Sequence, residues 1–239
     1  MEKQLKVADK SEFLKFLDAT SKISDSVILE VDKEKVTTLV SSVDNTLILY
    51  SEYSAVSELE DTLNIPDVKK LYRVLDTIEG SGIDLQINAN NIEYRGSDIK
   101  FKYHLFEEGF LSKPSINLDK INQFTYDLEF NLDKNVLQQI FKGSTFTSET
   151  NKIYFYTENG KLMAELTDRS RHNTDNFTLC IGDAEFDLEP TPVNFDNIRL
   201  LSIINDSFNV KINTEYGVVV FDIMRDNIKL KYIISALTQ

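Results

Sequence analysis

Two histidines, one cysteine and two runs of acids are the side chains of this sequence that could do bond-making chemistry. His104 falls in an alternating stretch that reads as a strand, and His172 in a polar loop. Neither has a metal-ligand partner at standard spacing, so both read as ordinary strand or surface histidines. Cys180 is the only cysteine. An intramolecular disulfide and a cysteine-built metal cluster are thereby excluded, and a reducing cytoplasm is the expected setting. The runs Glu58-Leu59-Glu60-Asp61 and Asp183-Ala184-Glu185 offer oxygen ligands for magnesium, as a metal-dependent nuclease would need. Solvated turns and edge strands carry such runs more commonly. No G-x-x-x-x-G-K-[ST] phosphate loop and no G-x-S-x-G elbow occurs. No enzyme, metal or cofactor is expected.

Cations on helices offer a different chemistry. Lys15 and Lys22 lie on the polar face of one expected helix, and Lys69, Lys70 and Arg73 on a second. Lys134 and Lys142, with Gln138 between them, lie on a third, and Arg199 on a fourth. Such groups can neutralise phosphates without reading bases. Acids stand nearby at Asp18, Asp67, Asp76, Asp133, Asp196 and Asp206, several at helix ends, where those near N-termini act as caps. Lysine on a solvated helix face needs no explanation alone. It gains one if the helices are equivalent copies that share one face of the molecule. The net charge of −13 argues against a generally basic nucleic-acid surface and against binding an anionic membrane. A DNA role therefore requires the positive charge to be segregated. Tyr50, Tyr53, Tyr154 and Tyr156 have no cations interleaved with them and read as half-buried strand residues rather than stacking platforms.

The elements that would position these cations come in two copies. The 239 residues, 41% hydrophobic, suffice for one large or two ordinary domains. No apolar run is long enough to span a bilayer, and Met1 to Lys10 has no secretory h-region. Leu5, Val7, Leu14 and Leu17 stand against Leu128, Phe130, Leu137 and Ile140, each pair 123 positions apart. Asp67, Leu71, Val74 and Leu75 match Asp196, Leu200, Ile203 and Ile204 at 129, and Ile99-Lys100-Phe101-Lys102-Tyr103 matches Ile228-Lys229-Leu230-Lys231-Tyr232 at 129. The step from 123 to 129 implies a net six-residue insertion. Each half reads as strand, helix, strands, helix, three strands. Phe13, Phe16, Leu17 and Thr20 mark the first helix over Lys10 to Thr20, with Asp9 and Glu12 as a capping box. Val68, Leu71, Leu75 and Ile78 mark the second, from about Pro66 to Ile78. Alternation predicts strands over Val27–Val31, Val36–Val40, Thr46–Tyr50, Ile83–Asn88 and Ile99–Leu105, with turns at Asp44-Asn45, Asn90-Asn91 and Asn159-Gly160. Glu107 to Asn122 breaks periodicity and reads as a linker. The boundary falls near Ser115, giving domains 1–114 and 115–239 of an α+β chain.

This pattern resembles the DNA sliding clamps of the proliferating cell nuclear antigen type and of tailed phages. Ile228-Lys229-Leu230-Lys231-Tyr232-Ile233-Ile234-Ser235-Ala236 is similar to the Leu-Lys-Tyr-Tyr-Leu-Ala-Pro ending of the nuclear antigen, although the proline is absent. Asn209 to Asp222, with Val218-Val219-Val220, resembles the preceding strand pair, and Val36 to Leu49, with Ser41-Ser42-Val43-Asp44, the strand and loop bordering the partner pocket. The likeness covers nearly the whole chain, as a pattern rather than one diagnostic motif. It implies two clamp domains with sheets outside and helices inside, and three copies closing head to tail into a six-domain ring. Lys100 to Phe106 of one copy would pair with Asn176 to Ile181 of the next, making Lys100, Phe101, Lys102, Tyr103, Phe177, Leu179 and Ile181 interface residues. The helix cations would face duplex DNA, and the acidic exterior would repel it. Val43, Phe110, Leu111, Val218 and Ile233 would form the pocket for peptides of polymerase and clamp loader. The resemblance thus implies a non-enzymatic processivity factor, cytoplasmic (in the host cytoplasm if viral), and the compact length leans toward a phage. Rival readings are a monomeric or dimeric processivity factor of the same fold, a structural virion or scaffold oligomer, and the nuclease above.

Overall fold

The computed structural model describes residues 3–57, 60–203, 206–225 and 227–237. Glu58 and Leu59 of the first acid run and Ile204 of the repeat lie outside them. The chain divides into two units, Met1–Ile116 with Met224–Lys231, and Asn117–Ile223 with Tyr232–Gln239.

The first unit runs β1 (Lys3–Val7), α1 (Lys10–Ser21), β2 (Val27–Val31), β3 (Lys35–Ser41), β4 (Leu47–Ser54), β5 (Val56–Ser57), β6 (Asp61–Ile65), α2 (Val68–Asp76), β7 (Ile83–Asn88), β8 (Asn91–Arg95) and β9 (Lys100–His104). One sheet has the order β5-β1-β7-β8-β9, and β4-β3-β2-β6 form another. The pairs run antiparallel. Period-2 patterning puts Val36, Thr38 and Val40 of β3 inside and its other side chains toward solvent. Helix α1 buries Phe13, Phe16, Leu17 and Thr20, the residues at i, i+3, i+4 and i+7. The rings of Phe13 and Phe16 lie 5.0 and 6.5 Å from that of Tyr53. Each such side chain, essentially out of water, stabilises the fold by roughly 1.5–3 kcal/mol.

Only half of the expected capping box forms. Asp9 accepts from the Glu12 N–H at 3.1 Å, but its own N–H donates to the Tyr53 hydroxyl at 3.0 Å. The Glu12 carboxylate is drawn away by Lys15 and Arg225. Helix α2 starts two residues later than Pro66, because Asp67 is its extended N-cap and accepts from the Lys70 N–H at 2.8 Å. It ends at Asp76, short of Ile78.

From Asn117 onward the chain runs α3 (Leu118–Asn122), β10 (Leu128–Leu132), α4 (Lys134–Gly143), β11 (Lys152–Glu158), β12 (Lys161–Leu166), β13 (Phe177–Asp183), β14 (Thr191–Asn194), α5 (Phe195–Arg199) with a 3-10 turn over Leu200–Ile203, β15 (Phe208–Asn213), β16 (Val218–Met224) and β17 (Ile228–Ser235), of which Met224–Lys231 belongs to the first unit. The strand orders β10-β15-β16-β17 and β13-β12-β11-β14 repeat β1-β7-β8-β9 and β4-β3-β2-β6 of the first unit. The two halves thus share one strand plan. Phe141 of α4 meets Phe195 of α5 at 6.0 Å, so these two helices are neighbours, as α1 and α2 are.

The registers correct the sequence alignment of the halves. The N-caps Asp9 and Asp133 are 124 apart, so Phe13 and Phe16, rather than Leu14 and Leu17, are the equivalents of Leu137 and Ile140. The N-cap of α5 is Asn194, 127 after Asp67, and Asp196 sits inside the helix. The last block keeps its spacing: the Gly96 N–H donates to the Ile99 carbonyl, as Arg225 does to Ile228, 129 later. Several small insertions therefore replace the single six-residue one. The linker also contains a short helix, α3, capped by Asn117. The turn after β7 centres on Ala89 and Asn90, with Asn88 and Asn91 paired across it. Asn45, Asn159 and Gly160 adopt the left-handed φ that the other two turns require.

Candidate nucleic-acid interface and docking surfaces

In the first unit α1 and α2 pack side by side. Burial, then the charges of Asp76 and Asp18, push the Tyr72 hydroxyl pKa upward. The cations of this helix pair fall into two groups. Lys15 is held by Glu12, Lys22 by Asp18 at 3.6 Å, and Lys69 by Asp25 at 2.9 Å. Lys70 and Arg73 are exposed and make no ion pair among the described residues. In the second unit Arg199 pairs with Asp196 at 2.7 Å and lies 4.7 Å above the Phe195 ring. Lys134 is half-buried and Lys142 exposed, again without ion pairs among the described residues. Four of the eight expected cations are thus free to take a phosphate at once, and four must first leave an acid. The Lys69 and Arg199 pairs are exposed and weak, so exchange there is inexpensive.

The first unit also carries two grooves along the linker. One, of about 400 Å³, is lined by Ile28, Leu39, Val40, Phe110 and Leu111 among others. The second, of about 490 Å³, includes Ile28, Asn64, Phe106 and Leu111. Lys113 ion-pairs with Glu30 of β2 and pins the linker down. Phe110 is 70% exposed and stacks on Phe106, their ring centroids 5.4 Å apart. Val43 projects fully into solvent from the turn before β4. That turn is fixed by Asp44, whose carboxylate accepts from the Ser42 hydroxyl and from the Thr46 N–H and hydroxyl; these bonds hold its pKa low. Val43 does not line either groove, although Asn45 lines the first. In the second unit Val218 is half-buried and Ile233 only 5% exposed, so the Ile233 side chain belongs to the core and offers little to a partner. Leu39 falls in the Val36–Leu49 segment expected to border the pocket, whereas sequence reasoning did not place Phe106 or Ile28 there; the linker's path over β2 brings them together, and no local pattern records that path.

The strands expected to join copies are both sheet edges. β9 ends the order β5-β1-β7-β8-β9, and β13 ends β13-β12-β11-β14. Lys100 and Lys102 of β9 are exposed, and Phe101 is half-buried beneath Tyr94 at 5.9 Å. Phe177, Leu179 and Ile181 of β13 are half-buried on one face, with Thr178 and Cys180 exposed on the other. Phe177 lies against Gly143, where an added Cβ would stand 2.3 Å from its ring. Tyr103 corrects the sequence expectation. It is 5% exposed, and its hydroxyl accepts from the Asp67 N–H at 3.0 Å and donates to the Asp67 carbonyl at 2.7 Å. Its side chain is committed to the core, leaving only its backbone for a neighbour. Burial pushes its pKa up to about 12.

Asp183 of the second acid run pairs with Lys161. Among the described residues, no three His, Cys, Asp or Glu side chains converge as metal ligands, and no helix is long and apolar enough to cross a membrane.

No protein-family model and no curated protein sequence matches the chain. Solved structures do match over its whole length. The A. fulgidus proliferating cell nuclear antigen, solved with the C-terminal region of FEN-1, superposes with a TM-score of 0.77 at 11% identity, over 98% of this chain and 99% of that one. The Entamoeba histolytica nuclear antigen gives 0.77 at 12%, covering all of both chains. The β chain of DNA polymerase III from Streptococcus pneumoniae gives 0.68 at 14%, over 99% of this chain but 65% of that one. The fold of this chain is that of the DNA sliding clamps.

Proposed function

We propose that this chain is a sliding clamp, a non-enzymatic processivity factor that closes around duplex DNA as a homotrimer and tethers a polymerase. Its clamp domains are residues 1–114 and 115–239. The observation that carries this reading is the pair of bare edges, β9 in one unit and β13 in the other. Exposed edges are normally covered or blunted. Here each would cover the other, head to tail, in an interface that closes after three copies. A monomeric processivity factor of the same fold would leave both edges bare.

Charge supports the same reading. A ring retains DNA by topology, so it needs only loose, sequence-independent phosphate contacts. Lys15, Lys22, Lys69, Lys70, Arg73, Lys134, Lys142 and Arg199 would supply them from the helices, while the net charge of −13 keeps duplex off the outside. The grooves beside Phe110 and Leu111 would take apolar anchors of polymerase and loader peptides. The loader would supply ATP hydrolysis. The site of action would be the cytoplasm, that of the host for a phage protein.

Retention on DNA tests this. Chain loaded on a nicked circle should stay bound through gel filtration at high salt and be lost when the circle is linearised. Equal loss from circle and linear DNA would refute topological binding.

A further inference from the structure

The second unit carries a copy of the linker groove, and the ladders identify it. Glu30 pairs with Thr37 between β2 and β3, and Tyr156 with Met163 between β11 and β12, 126 later on both strands. Ile28 pairs with Asn64 of β6, and Tyr154, again 126 later, with Pro192 of β14. Ile28 and Tyr154 are therefore equivalent, and so are Asn64 and Pro192. The segments that follow β9 and β17 meet this edge in the same way. The Phe106 N–H donates to the Asn64 carbonyl at 2.9 Å, and the Leu237 N–H to the Pro192 carbonyl at 2.8 Å. Phe106 and Leu237 thus hold matching places. Ile28, Asn64 and Phe106 line a linker groove of about 490 Å³. Tyr154, Pro192 and Leu237 line a groove of about 490 Å³ in the second unit.

The two copies share a size but not a charge. The charged side chains on the linker groove are Asp61, Glu107, Glu108 and Lys113, with Lys113 itself held by Glu30. Those on the second groove are Lys152, Arg169 and Glu189. The balance is acidic in one copy and basic in the other, in a chain whose net charge is −13.

The cations of the second groove are also held in place. The Arg169 guanidinium lies 4.9 and 4.8 Å from the ring centres of Tyr154 and Tyr156, an attractive contact that orients it. Glu165 accepts from its Nε at 2.7 Å and again from Nη2. Lys152 donates to Asp168 at 2.8 Å, and Asp168 also pairs with Arg171 at 3.3 Å. Arginine has five N–H donors and lysine three, so each can take a second carboxylate and keep its first.

Resting on the clamp reading above and its peptide-binding linker groove, we infer that the second unit carries a separate docking groove for a peptide with an acidic residue beside an apolar one. The apolar side chain packs on Tyr154, Pro192 and Leu237. The carboxylate takes charge-assisted hydrogen bonds from Arg169 and Lys152. The linker groove, with Asp61, Glu107 and Glu108, repels the same peptide. Each copy of the chain then holds two partners at once, sorted by charge.

Two fluorescein-labelled peptides, Gly-Phe-Leu-Asp-Asp-Gly and Gly-Phe-Leu-Lys-Lys-Gly, both amidated at the C-terminus, test this by anisotropy on the intact chain. The acidic peptide should bind, more weakly as salt rises. Arg169→Gln and Leu237→Glu should each cut its affinity roughly tenfold or more, with the circular dichroism unchanged. Phe110→Ala with Leu111→Ala should leave it unaffected, and the lysine peptide should show the reverse dependence. An acidic peptide that does not bind, that binds no better to this groove than the lysine peptide, or that ignores both Arg169→Gln and Leu237→Glu would overturn the second groove. A lysine peptide indifferent to Phe110→Ala with Leu111→Ala would count against the linker groove alone and leave the second one standing.

Discussion

Replacing Tyr103 by Phe removes one hydroxyl from the core, and the consequences can be worked out in advance. That hydroxyl spans the N–H and carbonyl of Asp67, the residue that caps α2. Its loss leaves a backbone donor and acceptor without their partner, at a cost of about 1–3 kcal/mol. A second signature lies at high pH. The Tyr103 pKa rises from 10.0 to about 12, chiefly through burial. The raised value means the folded state holds this proton more tightly. The contribution is therefore complete below pH 10 and lost as pH climbs through the folded value. Two pKa units correspond to about 3 kcal/mol. Urea unfolding followed by circular dichroism at pH 8 and at steps from 10 to 12 measures both effects. Tyr103→Phe should be less stable at pH 8 yet lose less stability over the alkaline steps than the parent. A variant equal to the parent at pH 8, or one with the same alkaline loss, would refute the reasoning. Tyr53 holds the Asp9 N–H and carbonyl in the same way, both at 3.0 Å, so Tyr53→Phe should weaken the start of α1 similarly.

Three further outcomes are expected. Reversing Lys70, Arg73, Lys134 and Lys142 to Glu should cut primer extension on circular DNA without changing the circular dichroism. The salt slope of DNA binding should fall by about 0.9 for each phosphate contact removed, and an unchanged slope would place these cations away from DNA. Phe110→Ala with Leu111→Ala should weaken polymerase binding by roughly tenfold to a hundredfold; mass and melting should hold, since Phe110 is 70% exposed. Asp168 is held well below the ordinary carboxylate range by hydrogen bonds from Lys152 and Ser170. A depressed folded pKa contributes stability at neutral pH that disappears as pH falls below the unfolded value of 3.8. Asp168→Asn should thus destabilise at pH 7 and flatten the acid limb below pH 3.8, as read by melting from pH 7 down to pH 2.

Much of the fold is legible in the sequence because its signals are local. The Lys35–Ser41 alternation, the Phe13, Phe16, Leu17 and Thr20 stripe and the Asn159-Gly160 turn each fix their element without distant help. What the sequence hides depends on contacts made far along the chain. The Lys-Phe-Lys-Tyr-His alternation puts Phe101 and Tyr103 on one face, but only the hydroxyl's partner, 36 residues earlier, shows that this face is core. The grooves lie where the linker passes over β2, and Lys113 of the linker meets Glu30, 83 residues away. Asp196 resembles Asp67 in the aligned halves, yet Asn194 is the cap, because β14 ends there and its side chain accepts from the Asp196 N–H at 2.9 Å. The even distribution of lysines also conceals which are occupied. The acids that hold Lys15 and Lys22 lie three and four residues away on the same helix, whereas the partner of Lys69 is Asp25, 44 residues distant.

The ring is the central claim, and solution mass by light scattering across a concentration series tests it most directly. The account predicts a species near three times 27.4 kDa at high concentration, dissociating on dilution without a stable dimer. A strict monomer throughout the series would contradict it.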